Sequence, residues 1–218
     1  MLVAATNNAK KLSEIRQILE PLGVPVRSSG DIGIAAPDET GETFRANALI
    51  KALAAFRATG AVTLADDSGL EVDALHGAPG VHSARYAGEH ARDADNNAKL
   101  IAGLAGVTQR SARYRAVLAL IIPADLASRV PTAEALPAEL GVDGHVLYAE
   151  GAIDGLIMDV PRGDGGFGYD PYFYYPPAGL TFAELSAAEK HRVSHRGQAL
   201  AALRPALVAL FRPQRAGR

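Results

Sequence analysis

The sequence contains no cysteine, which removes disulfides, thiolate metal sites and cysteine nucleophiles together and fits a reducing compartment. It also lacks any uncharged apolar run of about 18 residues, the length at which a membrane helix becomes a candidate. It opens MLVAATNN, without a basic leader or a small-residue cleavage site, so a cytoplasmic protein with no membrane partner is expected. Nor is one charge in excess. The formal net charge is -2 with both signs interspersed, so no basic stripe points to nucleic acid and any bound anion must be held locally. No G-x-x-x-x-G-K-[ST] occurs, which excludes a P-loop.

What is present is 218 residues with 48% hydrophobic content, enough for one sizeable core. A single domain over residues 1–211 is expected, with 212–218 as a disordered basic tail. Residues 2–5 read as a short buried strand. Thr6, Asn7 and Asn8 then offer helix caps before an apolar period at Leu12, Ile15, Leu19 and Leu22, which Gly23 stops. Residues 24–26 form the next strand candidate. A second helix covers 43–59, with Phe44, Ala48, Leu49, Ala52, Leu53 and Phe56 on its apolar face and Gly60 at its end. Residues 62–65 read as a buried strand with Asp66 and Asp67 at its carboxyl end. A helix over 92–104 follows, then the longest apolar run, 112–122, a central strand buried on both faces. Residues 123–144 carry three prolines and read as an extended excursion. Residues 145–150 and 152–159 form two strands, or one strand bent at Gly151. An aromatic run from Tyr172 to Tyr175 leads to a helix over 181–189 and a last helix from Ser194, which Pro205 should kink or divide. Strands and helices alternate early, and later strands lack helices between them, which predicts an α/β fold with a mixed central sheet flanked by helices.

Gly163, Gly165 and Gly168 have G-x-G-x-x-G spacing, but Tyr169, Asp170 and Pro171 follow where a dinucleotide fingerprint must open a helix. The stretch fits a loop whose N–H groups approach a ligand, with Phe167 and Tyr169 available to stack on a flat ring. It fits equally a glycine turn with both aromatics packed inward. His191 and His195 have the spacing of a helical zinc pair, yet Ser194 as an N-cap would set them on either side of a helix boundary. Lys190, His195 and Arg196 beside that helix N-terminus suit the carbonyl oxygens of a base or phosphate oxygens, or simply solvated charge. Thr6, Asn7, Asn8, Lys10 and Lys11 sit where the first strand hands over to a helix. Capping accounts for the polar residues, but two lysines in a first turn oppose the helix dipole and suggest an anion. Glu39, in PDETGETF, and an aspartate of LADDSGL can join around a hard cation such as Mg2+, although two aspartates at a strand end can also merely terminate it.

Taken in order, ATNNAKKLSEI, ETGETFRANALIKA, LADDSGLEVDALHGAPGVHSARYAG, GGFGYDPYF and AELSAAEKHRVSHRGQAL closely resemble the inosine triphosphate pyrophosphatase family, the non-canonical purine NTP pyrophosphatases of the RdgB/HAM1 type. The resemblance spans nearly the whole chain. It implies a homodimeric α/β protein with two lobes and a long active-site cleft between them. The implied reaction is Mg2+-dependent hydrolysis of ITP, dITP or XTP to the nucleoside monophosphate and pyrophosphate. By the same resemblance, Thr6, Asn7, Asn8, Ala9, Lys10 and Lys11 bind the triphosphate and Glu39 and Asp67 hold Mg2+. Asp67 is also the proton acceptor, and Ser68 touches substrate. Phe167, Gly168, Tyr169 and Asp170 line the nucleoside site, and Lys190, His195 and Arg196 complete base recognition.

Selecting a 6-oxo purine over adenine needs a donor where adenine presents its own, and a buried polar group left unpaired costs ~1–3 kcal/mol. Arg196 is the candidate donor. Strand alternation sets Asp66 and Asp67 on opposite faces, so they divide the labour. Asp67, expected to face the substrate with Ser68, takes the chemistry, and Asp66 is expected to stabilise a turn or position the metal's waters. The alternatives are a same-fold pyrophosphatase for other modified nucleotides and a nucleotide-binding sensor without turnover.

Overall fold

The computed structural model describes residues 1–211, apart from the side chains of Lys10, Ile18 and Leu22; the tail expected at 212–218 lies outside the described residues. The strands are β1 (Leu2–Ala4), β2 (Val26–Ser28), β3 (Thr63–Val72), β4 (Ser111–Pro123), β5 (Glu134–Ala135), β6 (Gly144–Ile157), β7 (Phe173–Tyr175) and β8 (Leu180–Thr181). The helices are α1 (Ala9–Leu19), α2 (Phe44–Thr59), α3 (Asp93–Gly103), α4 (Ala187–Val193) and α5 (His195–Phe211). α2 shows how the local sequence sets such bounds. The Thr43 side chain accepts from the Ala46 N–H at the start, and Gly60, at φ 61°, returns its N–H to the Phe56 carbonyl at the end. Replacing Thr43 by alanine would cost about 1 kcal/mol.

Several expectations need correction. β2 begins at Val26, two residues later than read from the sequence. β3 does not stop at the aspartates but runs ten residues through them to Val72, because lysine partners let both carboxylates stay buried inside a strand. The excursion over 123–144 folds back: β5 pairs antiparallel with β6, Glu134 opposite Val146. Of the two readings of 145–159, the single strand is the one found: β6 runs continuously through Gly151. Residues 181–189 are not one helix. Glu184 turns back to accept from the Thr181 N–H, and helix begins only at Ala187, where Ser186 and Glu189 form a capping box. Pro205 does not divide α5, since Leu200, Leu203, Leu207 and Leu210, on both sides of it, are buried in one core cluster.

The chain clusters into two units, whose boundaries fall inside β3, β4, β6 and α5. The first contains 1–67, 117–149 and the described residues from 199 onward. Here the strands follow the order β2-β1-β3-β4-β6, with β1 parallel to both β2 and β3. Alternation divides its core in two. Leu2, Ala4 and Leu64 pack with Ile15 and Leu19 of α1 and Leu200 and Leu203 of α5. Val3, Ala5 and Ala65 pack with Ala48, Ala52 and Phe56 of α2. α1 and α5 therefore cover one face of this sheet and α2 the other.

The second unit contains 68–116 and 150–198, with strands in the order β3-β4-β6-β7-β8 and β6 antiparallel to β7. Its core gathers Leu70, Val72, Leu100, Tyr114, Ile153, Phe173 and Phe182. Each fully buried phenylalanine there contributes ~1.5–3 kcal/mol. No helix among the described residues is long and apolar enough to cross a membrane.

Candidate active site

In the first unit, hydrogen bonds hold the handover from β1 to α1. The Asn8 N–H donates to Thr6 Oγ1 at 3.1 Å, and Asn8 Oδ1 caps the helix by accepting from the Lys11 N–H at 3.2 Å. Asn7 Oδ1 accepts from the Ser29 hydroxyl at 3.1 Å. Ala9 opens the helix, and the Lys10 side chain lies outside the described residues. Lys11 Nζ reaches Asp66 Oδ1 at 2.7 Å, and the Asp66 side chain is fully buried. A lysine in the first turn thus has a carboxylate to offset its conflict with the helix dipole, a partner that helix spacing could not disclose.

Alternation in β3 then distributes three consecutive residues. Leu64 packs with α1 and Ala65 with α2, so Asp66 meets Lys11 on the α1 side and Asp67 meets Lys51 on the α2 side. Asp66 stabilises no turn here, because the strand continues past it. Ser68, the first residue of the second unit, accepts at Oγ from Arg196 Nη2 of α5 at 3.0 Å.

Lys51 is a site residue that the sequence reading missed. Its Nζ lies 2.6 Å from Asp67 Oδ1 and 3.0 Å from Glu39 Oε1. The signal was available: Lys51 is the lone charge in ALIKALAAF and shares a helical face with Asn47, Ala48 and Ala55, all buried. Asn47 Oδ1 also accepts from the Gly41 N–H at 2.7 Å and so fixes the turn that carries Glu39. Burial raises the proton affinity of Asp67, outweighing the attraction of Lys51 and Lys11, and Glu39 adds to the rise. For Lys51 burial acts downward, but Asp67, Glu39 and Asp66 together hold its proton affinity above the ordinary lysine value.

These residues fit a hard cation. Two carboxylates converge on the point that the Lys51 ammonium occupies, and Asp67 Oδ2 is buried with no hydrogen-bond partner. Among the described residues no group of three or more His, Cys, Asp or Glu could hold a metal. Two carboxylates, completed by water and phosphate oxygens, suit Mg2+ and not a closed protein cage.

In the second unit, Asp170 is the organising group. Oδ2 accepts from the Phe167 N–H at 2.7 Å and from Lys190 Nζ at 2.6 Å, and Oδ1 accepts from the Tyr114 hydroxyl at 3.3 Å. Gly166, at φ 71°, leaves room for this carboxylate, since a Cβ there would collide with Asp170 Oδ2. Gly168 is clamped by α3: its N–H donates to Asp93 at 2.8 Å and its carbonyl accepts from Asn97 at 2.9 Å. Phe167 is half-buried, with Lys190 Nζ 4.8 Å from its ring centre, and it keeps a stacking role open. Tyr169 does not. It is 4% exposed and its hydroxyl donates to the Ser83 carbonyl at 2.8 Å, so its ring packs inward and its proton affinity is raised by burial, then by Tyr86 and Asp93.

Ser194 ends α4, and its Oγ accepts from the Gly197 N–H at 3.1 Å in an N-cap arrangement for α5. His191 and His195 therefore do lie on two helices. His195 and Arg196 are buried, which excludes simple solvated charge for these two.

A family model described as the Ham1 family matches residues 2–206. A dITP/XTP pyrophosphatase of Syntrophobacter fumaroxidans is 50% identical to this chain over 201 residues, which cover 92% of the chain and 78% of that protein. A dITP/XTP pyrophosphatase of Chromobacterium violaceum is 49% identical over 209 residues, covering 96% of the chain and 98% of that protein. Among solved structures, a HAM1 protein from Coxiella burnetii is 39% identical with a TM-score of 0.79, over 94% of this chain and 97% of that one. A nucleoside-triphosphatase, dITP/XTP pyrophosphatase, from Mycobacterium abscessus is 41% identical with a TM-score of 0.66, over 93% and 97% of the two chains.

Proposed function

The chain belongs to the Ham1 family, and from that membership we propose that it hydrolyses the non-canonical purine triphosphates dITP, ITP and XTP to the nucleoside monophosphate and pyrophosphate. One observation carries the chemistry: Glu39 and Asp67 converge on a single cationic point, and Asp67 keeps a buried oxygen uncommitted.

Each residue then has a task that its surroundings suit. Glu39 and Asp67 would hold Mg2+, which when bound supplies neutralisation of the phosphate charge and of the leaving pyrophosphate. The turn and first helical residues Thr6, Asn7, Asn8, Ala9, Lys10 and Lys11 offer N–H groups and ammonium charge to the triphosphate. Asp67 orients the attacking water and accepts its proton, and a carboxylate whose proton affinity burial has raised is suited to that task. In the second unit, Phe167 stacks on the purine and Gly168 lets backbone approach it. Asp170 holds Phe167 and Lys190, and His195 and Arg196 address the 6-oxo edge while Ser68 steadies Arg196. Tyr169 serves as an anchor for this loop through its hydroxyl. The working form is a cytoplasmic homodimer that acts on nucleotide pools.

Pyrophosphate release, measured with Mg2+ over dITP, ITP, XTP, dATP and dGTP, tests the proposal. Turnover should favour the first three and stop with EDTA. Binding of dITP without release would overturn the enzyme reading in favour of a sensor.

A further inference from the structure

Tyr114 lies on β4, where Ala112, Tyr114 and Ala116 alternate inward, and it is 7% exposed. Its ring stacks on the His195 imidazole at 4.9 Å between centres and 13° between planes, and it also packs on Phe173 and Phe182. Its hydroxyl points to the one Asp170 oxygen that neither Phe167 nor Lys190 occupies.

We propose that Tyr114 is a positioning residue for purine recognition, its hydroxyl locking the Asp170 carboxylate and its ring fixing the plane of His195. The inference rests on the reading that Phe167, Lys190 and His195 recognise the base. A carboxylate held at both oxygens cannot turn about its last torsion, so the Phe167 amide and the Lys190 ammonium that depend on it keep their places. Packing alone does not require the hydroxyl, because the neighbouring Phe173 and Phe182 fill the same core without one. Burial pushes Tyr114 ionisation far above the ordinary phenol range, so the hydroxyl remains a donor at every working pH.

The test compares wild type, Tyr114→Phe and Tyr114→Leu in steady-state kinetics on dITP and dATP, with thermal melts of each. Tyr114→Phe should raise KM for dITP about three- to tenfold, leave kcat within about twofold, and lower the dITP-to-dATP ratio of kcat/KM by a similar factor. Tyr114→Leu, which also loses the stack, should lower that ratio further. If Tyr114→Phe keeps the wild-type KM and base preference, whether or not its melting temperature falls, Tyr114 is only a packing residue and the inference fails. A fall in kcat with KM unchanged would also overturn it. Since Tyr114→Phe keeps the ring, it decides the matter even if Tyr114→Leu does not fold. A wild type that does not turn over dITP would instead refute the proposed function, and this inference with it.

Discussion

The Lys51 ammonium touches Asp67 at 2.6 Å and Glu39 at 3.0 Å, so a single helix residue gathers the two carboxylates assigned to the metal. It acts as a built-in counter-ion at the point where the proposed Mg2+ would bind. Lys51→Met should therefore leave two carboxylates facing one another with only weak compensation. Breaking such a buried pair costs ~3–5 kcal/mol, and Mg2+ should restore part of the loss. Thermal melts with and without Mg2+ check this; a variant as stable as wild type without Mg2+ would refute it.

Asp67→Asn keeps the shape of the side chain but removes the proposed proton acceptor and half of the carboxylate pair. A fall in kcat of about 100- to 10,000-fold on dITP is expected. Activity within a few-fold of wild type would remove Asp67 from the chemistry.

The pH dependence has a definite sign. Asp67 has a proton affinity above the ordinary carboxylate value of 3.8, mainly through burial, so its protonated form is favoured in the fold. The stability it contributes is complete below 3.8 and is lost as pH rises through the raised folded value. The stability of Asp67→Asn relative to wild type should accordingly improve over that window, as melts of both from pH 3.5 to 7 would record. If Asp67 is the base as proposed, activity needs its deprotonated form, so the acid limb of kcat/KM should lie above the ordinary value at limiting Mg2+ and move down as Mg2+ saturates. A limb independent of Mg2+ would place its origin in another group.

With only two protein carboxylates, the proposed Mg2+ would depend on phosphate oxygens to complete its shell. Calorimetric titration of Mg2+ into the protein should give weak binding alone and binding tightened at least about tenfold by inorganic pyrophosphate. Equal affinity in both titrations would point to a closed protein site.

Gly166→Ala would place a Cβ against the Asp170 carboxylate at a positive φ of 71°. The backbone strain alone costs ~1 kcal/mol or more, and the displaced carboxylate should release Phe167 and Lys190. KM for dITP should rise while Mg2+ binding, which uses other residues, stays unchanged.

Local chemistry made much of this legible in the sequence. The cap at Asn8, the stops at Gly23 and Gly60 and the apolar run of β4 appear as read, because each depends on neighbours a few residues away. The errors arose where distant partners decide. Asp66 and Asp67 looked like a strand end, since nothing nearby announces that Lys11 and Lys51 will neutralise them inside a strand. Tyr169 looked available for stacking because the Ser83 carbonyl that fixes it lies 86 positions away in sequence. Lys51 itself was visible as the lone charge in ALIKALAAF, on a face shared with the buried Asn47, Ala48 and Ala55.

β3 sets Asp66, Asp67 and Ser68 in immediate succession before Lys11, Lys51 and Arg196. The strand therefore acts as a ruler with three marks. Substitutions elsewhere along it change composition and can be absorbed, but losing or gaining one residue ahead of Asp66 would hand every basic group the wrong partner at once. In the history of such a sequence, length here should drift far less than identity does.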